Sequence, residues 1–386
     1  MSEKTPFTDC VDLAGSSVKK YDGTRLYVST GALDCDHIDF SQVEECTYEN
    51  KPSRANLVAD CGTILFAKMQ GTKKTIVLDD ETSDYIYSTG FVAVRAKAEM
   101  ISERCLYHLV TSAYFLRQKD KYCSGATQKA ITNKGLEKIM IAVPDIAFQP
   151  GIADRLDLLD TASKLCRKIL ERLDDIMESR FVEMFGDPVN NEKGWDTSPL
   201  EGACISIVDC PHSTPSYTNE NTGFMCIRTS IVKKNRILWD DIEYIPEDEF
   251  LQRIKRRKPQ KGDVIYTREG AILGIAAIID RDCDVALGQR SMLLTPDTTV
   301  CLSEFLSVAM NFDSFLHKVT QGVSGSASPH INVGDIRSYN IMLPPIDLQQ
   351  TFAIFYNDIE KSKAAVTKCL KKAEYLKLAL MQQHFG

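Results

Sequence analysis

No Cys-x-x-Cys pair occurs in this chain, although it holds 13 cysteines. Their odd number and scattered spacing exclude a zinc ribbon or a disulfide framework and point to reduced thiols packed in a core. Cys204, Cys210 and His212 come nearest to a ligand set; core packing accounts for such cysteines better, so no metal is expected. No apolar run reaches the length of a membrane span, and Met1 to Asp9 is too polar for a signal peptide, which predicts a cytoplasmic protein without membrane contact. A Gly-x-x-x-x-Gly-Lys-Ser/Thr phosphate loop is absent, which removes a nucleotide-driven motor. Gly322-Val323-Ser324 starts like a nucleophile elbow, but Ser326 stands where the closing glycine belongs. Asp280, Asp282 and Asp284 start like a calcium loop, but Val285 replaces its glycine and Ser291 its final glutamate. Positive charge is short as well. The formal net charge of −7 argues against a protein that grips nucleic acid by general phosphate neutralisation.

What the sequence does have is a repeat at an offset of 200 residues. Gly62 to Lys68 lies over Gly262 to Arg268, Gly125 over Gly325, Ile131 over Ile331, Ile141 to Pro144 over Ile341 to Pro344, Gln149 over Gln349, and Phe185-Gly186 over Phe385-Gly386. Each pair is weak alone, but one register kept through loops, strand-like runs and helix ends marks a duplicated domain. A length of 386 residues with 44% apolar content can supply each half with a core.

Two segments read as long helices. In Ile152 to Phe185 the seam Leu159, Ala162, Cys166, Ile169, Leu173, Ile176 alternates steps of three and four, with Leu170 beside it. Ile359, Ser362, Val366, Cys369, Ala373 and Leu376, with Leu370, repeat that register, and a heptad seam wants a partner helix. Pairing the two with each other is the economical solution, with an ordinary globular bundle as the alternative. Ahead of each helix lie short strand-like pieces at Thr63 to Ala67, Phe91 to Arg95, Val264 to Thr267, Ala276 to Ile279 and Ser291 to Leu294, and helical patterns at Arg104 to Leu116 and Ser303 to Val319. The expected fold is α+β: two similar domains separated by two long antiparallel helices that form a coiled coil. The boundaries are residues 1–149 and 187–348 for the domains, 150–186 and 349–386 for the helices.

Local basic clusters interrupt the acidic balance: Lys68, Lys73 and Lys74 at a turn, Arg117 with Lys119 and Lys121, and Arg253 to Lys258. On charge alone these read as solvated faces.

Phe224 to Ser230 reads as an early strand leading into a loop, Gly262 to Gly274 as a Gly-Asp-hydrophobic-aromatic-x-Arg-x-Gly stretch, and Leu287 to Arg290 as a Gly-Gln turn; Gln321 to Ile331 and Leu343 to Gln350 complete the series. In the order of these motifs the chain resembles the specificity subunits of type I restriction–modification systems, whose recognition loop follows the early strand. The first half departs from it, with Lys68-Met69-Gln70-Gly71 in place of the Arg-Glu-Gly form and one proline at Pro144 where the second half has Pro344-Pro345. The resemblance implies a non-catalytic subunit with two target-recognition domains that read an asymmetric bipartite sequence in double-stranded DNA. It implies two methyltransferase subunits as partners, with room for restriction subunits, and no cofactor in this chain; S-adenosylmethionine would belong to the methyltransferase. The only Pro-Pro lies at a helix start rather than in an Asn/Asp-Pro-Pro-aromatic motif, which agrees. A helix from Ile152 to Phe185 would rise about 50 Å, enough to span half-site centres about 34 Å apart.

Arginine suits bidentate contact with guanine and glutamine with adenine. The expected DNA-binding residues are Lys68, Gln70, Lys73 and Lys74 in the first half, and Arg228, Ser230, Arg256, Arg257, Thr267, Arg268, Gln289, Arg290 and Ser324 in the second. Leu159, Ile169, Leu173, Ile176, Ile359, Val366, Leu370 and Leu376 are the expected helix-pairing residues. The competing reading is a tandem adaptor whose coiled coil carries two protein-binding domains, which the acidic charge suits. The Pro-Pro-x-x-x-Gln helix start and the Gly-Asp-Val-Ile-Tyr-x-Arg-Glu-Gly run favour the DNA reader.

Overall fold

A computed structural model describes residues 4–126, 128–270, 272–321 and 329–386. The chain divides into two compact units, Met1–Arg167 with Thr367–Gly386 and Lys168–Val366, so each unit takes part of both long helices.

In the first unit, a four-stranded antiparallel sheet runs in the order Val11–Leu13, Phe91–Ala96, Ile64–Ala67, Thr75–Val77. Its central strand is apolar at every position because both faces are covered. Ile64 and Phe66 join Val92, Val94 and the helix Glu103–Thr111 in one core, while Leu65 and Ala67 enter a second core with Phe91 and Tyr87. Side chains alternate between faces along a strand, so one run feeds two cores. Behind it stands a sheet ordered Glu44–Cys46, Arg25–Val28, Ile86–Ser88, Ala55–Leu57, in which Ile86–Ser88 is parallel to Arg25–Val28.

The second unit repeats this plan with Cys204–Asp209, Ser291–Pro296, Val264–Thr267 and Ala276–Ile278, and a smaller sheet ordered Glu243–Tyr244, Met225–Ile227, Val285–Leu287. Leu65 pairs with Ala93 and Ile265 with Leu293, the same register at the repeat offset. The next hairpin differs. Ile64 faces Val77, whereas Val264 faces Ile278, so the second unit's connecting loop is one residue longer.

The strands stand where the sequence places them, but each single helical pattern is two helices: Glu103–Thr111 then Ala113–Lys121, and Ser303–Asn311 then Asp313–Thr320. Ser112 is extended (φ −67°, ψ 146°), closes the first helix and caps the next by accepting from the Phe115 N–H, which periodicity alone does not reveal.

The long helices are Gln149–Phe185 (37 residues) and Ile346–Phe385 (40 residues). Their covered face passes through Leu156, Leu159, Ser163, Cys166, Leu170, Leu173 and Met177, and again through Tyr356, Ile359, Lys363, Val366, Leu370, Ala373 and Lys377. This corrects the expected seam. Leu159, Leu173, Ile359, Val366 and Leu370 lie on it, but Ile169, Ile176 and Leu376 are 37%, 48% and 40% exposed, and Ala162, Ser362 and Cys369 also stand one residue off. In the first unit Asp160 meets Lys377 and Arg167 meets Glu374, so these stretches run in opposite directions. In the second unit Lys363 bonds Asp174 at 2.6 Å, and Phe181, Phe185, Phe305 and Phe352 form an aromatic cluster.

The fully buried Gln149 and Gln349 anchor both helix starts in the same way. Gln349 Oε1 accepts from the Leu302 N–H at 2.9 Å, while its Nε2 donates to Val300 O at 2.9 Å and Pro344 O at 2.8 Å. Gln149 does the same with Ser102 N–H, Met100 O and Pro144 O.

Candidate nucleic-acid interface

Both units build one loop scaffold from backbone hydrogen bonds. In the first, the N–H of Lys68 donates to Gly90 O and its carbonyl accepts from the Ile131 N–H. In the second, Arg268 N–H donates to Arg290 O and Arg268 O accepts from Ile331 N–H. The hairpin loop, the turn before the next strand and the segment ahead of Ile131 or Ile331 are thereby gathered in each unit. Gly288 fits this turn because a Cβ there would lie 2.9 Å from Ile227 O, whose partner is the Gly288 N–H. Arg290 holds a left-handed φ of 71°, an uncommon conformation for a residue with a side chain.

In the second unit, the structure brings Arg268, Gln289 and Arg290 together with residues the sequence reading passed over. Arg268 is only 6% exposed. Its Nε donates to Asp209 Oδ1 at 2.9 Å and its Nη2 to Asp209 Oδ2 at 3.3 Å, and Glu269 Oε1 lies 2.8 Å from Nη2. His212 closes the ring, with Nδ1 at 3.4 Å from Arg268 Nη2 and Nε2 at 3.2 Å from Asp209. The bidentate edge of Arg268 is thus occupied by Asp209, which makes this arginine a strut of the loop. Thr267 is fully buried, and its hydroxyl accepts from the Ile275 N–H at 2.9 Å. Arg257 reaches the buried Asp263 and Arg256 donates to Asp209 O, while Arg253, from the same basic run, is buried against Glu249, Leu287 O and Ser213 O. Arg228 pairs with Glu243 at 2.9 Å and lies over the Tyr217 ring. Ser230 is exposed. Gln289 Oε1 accepts from the Thr214 hydroxyl, and Arg290 is exposed with no side-chain hydrogen bond or ion pair among the described residues. Ser324 lies outside the described residues, as does Gly325 of the repeat.

The first unit divides its lysines in the same manner. Lys68 donates to Thr89 O at 2.8 Å, and burial pushes its ammonium pKa down. Lys74 donates to Thr30 O at 2.8 Å. Lys73 and Gln70 are exposed, Lys73 with no side-chain bond among the described residues. Lys119, whose neighbours Arg117 and Lys121 suggested a solvated face, is instead fully buried under this turn. No local signal marks Asp209 or Lys119, because Arg268 and the Ala67, Met69 and Thr72 carbonyls are distant from them in sequence.

Among the described residues no group of His, Cys, Asp and Glu is arranged to hold a metal ion, and no helix is long and apolar enough to cross a membrane.

The type I restriction modification DNA specificity domain model matches residues 26–175 and again residues 192–374. The specificity subunit of the type I restriction enzyme EcoKI from Escherichia coli K12 is 22% identical over 76% of this chain and 67% of its own length. The MjaVIII specificity subunit from Methanocaldococcus jannaschii is 22% identical over 74% of this chain and 72% of its own. Among solved structures, a type I restriction–modification S subunit from M. genitalium aligns with a TM-score of 0.60 at 12% identity, covering 100% of this chain and 96% of that one. A chain from a study of type I complex assembly and conformational transition aligns with a TM-score of 0.55 at 18% identity, covering 99% and 97%. The chain therefore belongs to the DNA specificity family of type I restriction–modification systems, whose work is the recognition of DNA sequence.

Proposed function

We propose that the chain reads an asymmetric bipartite target, one half-site through the turn bearing Gln70 and Lys73 and the other through Gln289 and Arg290. The observation that carries this reading is the shared loop scaffold, fixed at Lys68, Gly90 and Ile131 in one unit and at Arg268, Arg290 and Ile331 in the other, with different side chains on each copy. One scaffold carrying two side-chain sets suits two different half-sites. The acidic overall balance is compatible, because phosphate contacts position a reader while base contacts specify, and phosphate neutralisation can come largely from partners.

In this reading the chain is not catalytic. Two adenine methyltransferase subunits supply the chemistry and the S-adenosylmethionine, each over an adenine turned out of the stack, and the same cytoplasmic complex has room for an endonuclease and motor subunit. The long helices pair as an antiparallel coiled coil whose length fixes the spacer; 37 residues rise about 55 Å. Binding to DNA should be site-specific and fall with salt when the chain is assembled with its methyltransferase. Adding seven residues to each long helix should lengthen the accepted spacer and leave both half-sites unchanged. Binding without sequence preference, or an unaltered spacer, would count against the proposal, and absence of DNA binding would favour the adaptor.

A further inference from the structure

Among the described residues Lys119 is the only fully buried lysine. It lies on the helix Ala113–Lys121, whose neighbour Phe115 packs against Phe7 and Phe66 and so fixes that helix to the sheet. A buried ammonium needs several acceptors in good geometry to offset lost hydration. Here they come from one turn and the strand end that leads into it: Nζ donates to Met69 O at 2.8 Å and Thr72 O at 3.1 Å, with Thr72 Oγ1 at 3.5 Å, and to Ala67 O at 3.4 Å. Asp120 works on the same turn from outside. Its Oδ1 accepts from the Gly71 N–H at 3.1 Å and lies 3.4 Å from Lys119 Nζ, and its carbonyl accepts from Gln70 Nε2 at 3.4 Å. Gly71 at the tip has a φ of 76° and open space before it.

Among its described residues the other unit shows no such device. Val319 and Thr320 stand at the matching places, and its loop is held by the Asp209–Arg268–Glu269 pairs. Equivalent loops are thus fixed by different chemistry in the two halves.

We infer that Lys119 and Asp120 form a clamp that sets the shape of the Met69–Thr72 turn and thereby the choice of the first half-site, with Gln70 and Lys73 as the contacting side chains. The inference rests on the reading of this turn as a DNA reader. Lys119 is a positioning residue: it is buried beneath the turn and acts through the carbonyls it orders. A contact group must be held to about half an ångström to discriminate well, and without the ammonium the Met69, Thr72 and Ala67 carbonyls lose the one donor they share, leaving the turn to the Gln70 N–H bond to Lys129 O, the Thr72 bonds to Met69 O and the Asp120 contact.

The test uses the chain assembled with its methyltransferase on a DNA library in which both half-sites are randomised, with methylated adenines read by sequencing. Lys119→Met removes the ammonium and keeps the bulk. It should lower discrimination at the first half-site about tenfold, the worth of one good base contact, and leave the second half-site and the spacer as in the wild type. Lys119→Arg should restore part of the loss. Should Lys119→Met fail to fold by thermal unfolding, Asp120→Ala, which releases the Gly71 N–H and the carboxylate beside Lys119 Nζ but leaves the ammonium on the turn's carbonyls, decides by the same pattern. A folded variant that keeps full first-half discrimination, or loses both halves equally, overturns the clamp. A wild-type complex that methylates without sequence preference would overturn the DNA-reader reading itself, a result distinct from either.

Discussion

Replacing Gln349 with leucine should uncouple the second unit from the start of its long helix. The side chain is fully buried and joins the Leu302 N–H, Val300 O and Pro344 O, three backbone groups that make no other hydrogen bond to a turn or loop among the described residues. Leucine matches the bulk but bonds none of them. Each buried polar group left alone costs about 1–3 kcal/mol, and partial relaxation toward water makes roughly 3–6 kcal/mol a reasonable total for Gln349→Leu. That is a large share of the stability of an ordinary domain, about 5–15 kcal/mol. Urea unfolding would measure the loss, and hydrogen exchange at the Leu302 amide would localise it. Gln349→Glu sharpens the test, since a carboxylate would face two carbonyls with no proton to share; this variant should regain stability as acid protonates it. A loss below about 1 kcal/mol for Gln349→Leu, with Leu302 exchange unchanged, would refute the reasoning.

Gln149→Leu should weaken the first unit by a similar mechanism, seen as faster exchange at the Ser102 amide. Phe352→Ala, which opens the aromatic cluster with Phe181 and Phe185, should cost about 3–5 kcal/mol in denaturant unfolding. Asp209→Asn should loosen Arg268 and relax the second half-site only, as read in the methylated sequence. The first unit should also lose stability in acid. His108 is fully buried with Nε2 2.6 Å from Asp157, and burial pushes its pKa below the usual 6.5 against the pull of that carboxylate. Burial would raise the Asp157 pKa, but bonds from Arg104 and His108 outweigh it and hold the carboxyl below 3.8. Both folded values lie under the unfolded ones, so each contribution is complete above the unfolded pKa and is lost as pH falls. His108→Val, the residue the second half carries as Val308, should flatten thermal stability against pH just below 6.5; an unchanged slope would contradict this.

The repeat, the strands and the two long helices were legible in the sequence because each rests on a local pattern. Val264–Thr267 and Phe91–Ala96 are apolar runs closed by turn residues, and the Gln149 and Gln349 clasps are the physical content of an identity visible at the repeat offset. The seam was half legible. Leu159, Cys166 and Leu173 lie on it, but the alternate positions are Ser163, Leu170 and Met177, and on the other helix Lys363 and Lys377. Those polar members are hidden from a search for apolar steps, since Lys363 carries its ammonium to Asp174 and Glu360 while its stem is covered. The site was less legible still. Arg268, Lys68 and Lys74 looked like available cations, and the structure commits them to carboxylates or carbonyls far away in sequence. Long-range pairing of this kind leaves no local trace. It also removes part of the expected basic character of both loops, leaving Lys73 and Arg290 as exposed cations with Gln70 and Gln289 beside them.

Mapping methylated adenines across a genome, with and without this chain and with the methyltransferase present in both, tests the central claim most directly. The account predicts that methylation depends on the chain and falls at one sequence made of two different half-sites at a fixed spacing, with substitution of Lys73 altering one half and of Arg290 the other. Methylation that does not depend on the chain, or a single undivided site that both substitutions alter alike, would contradict it.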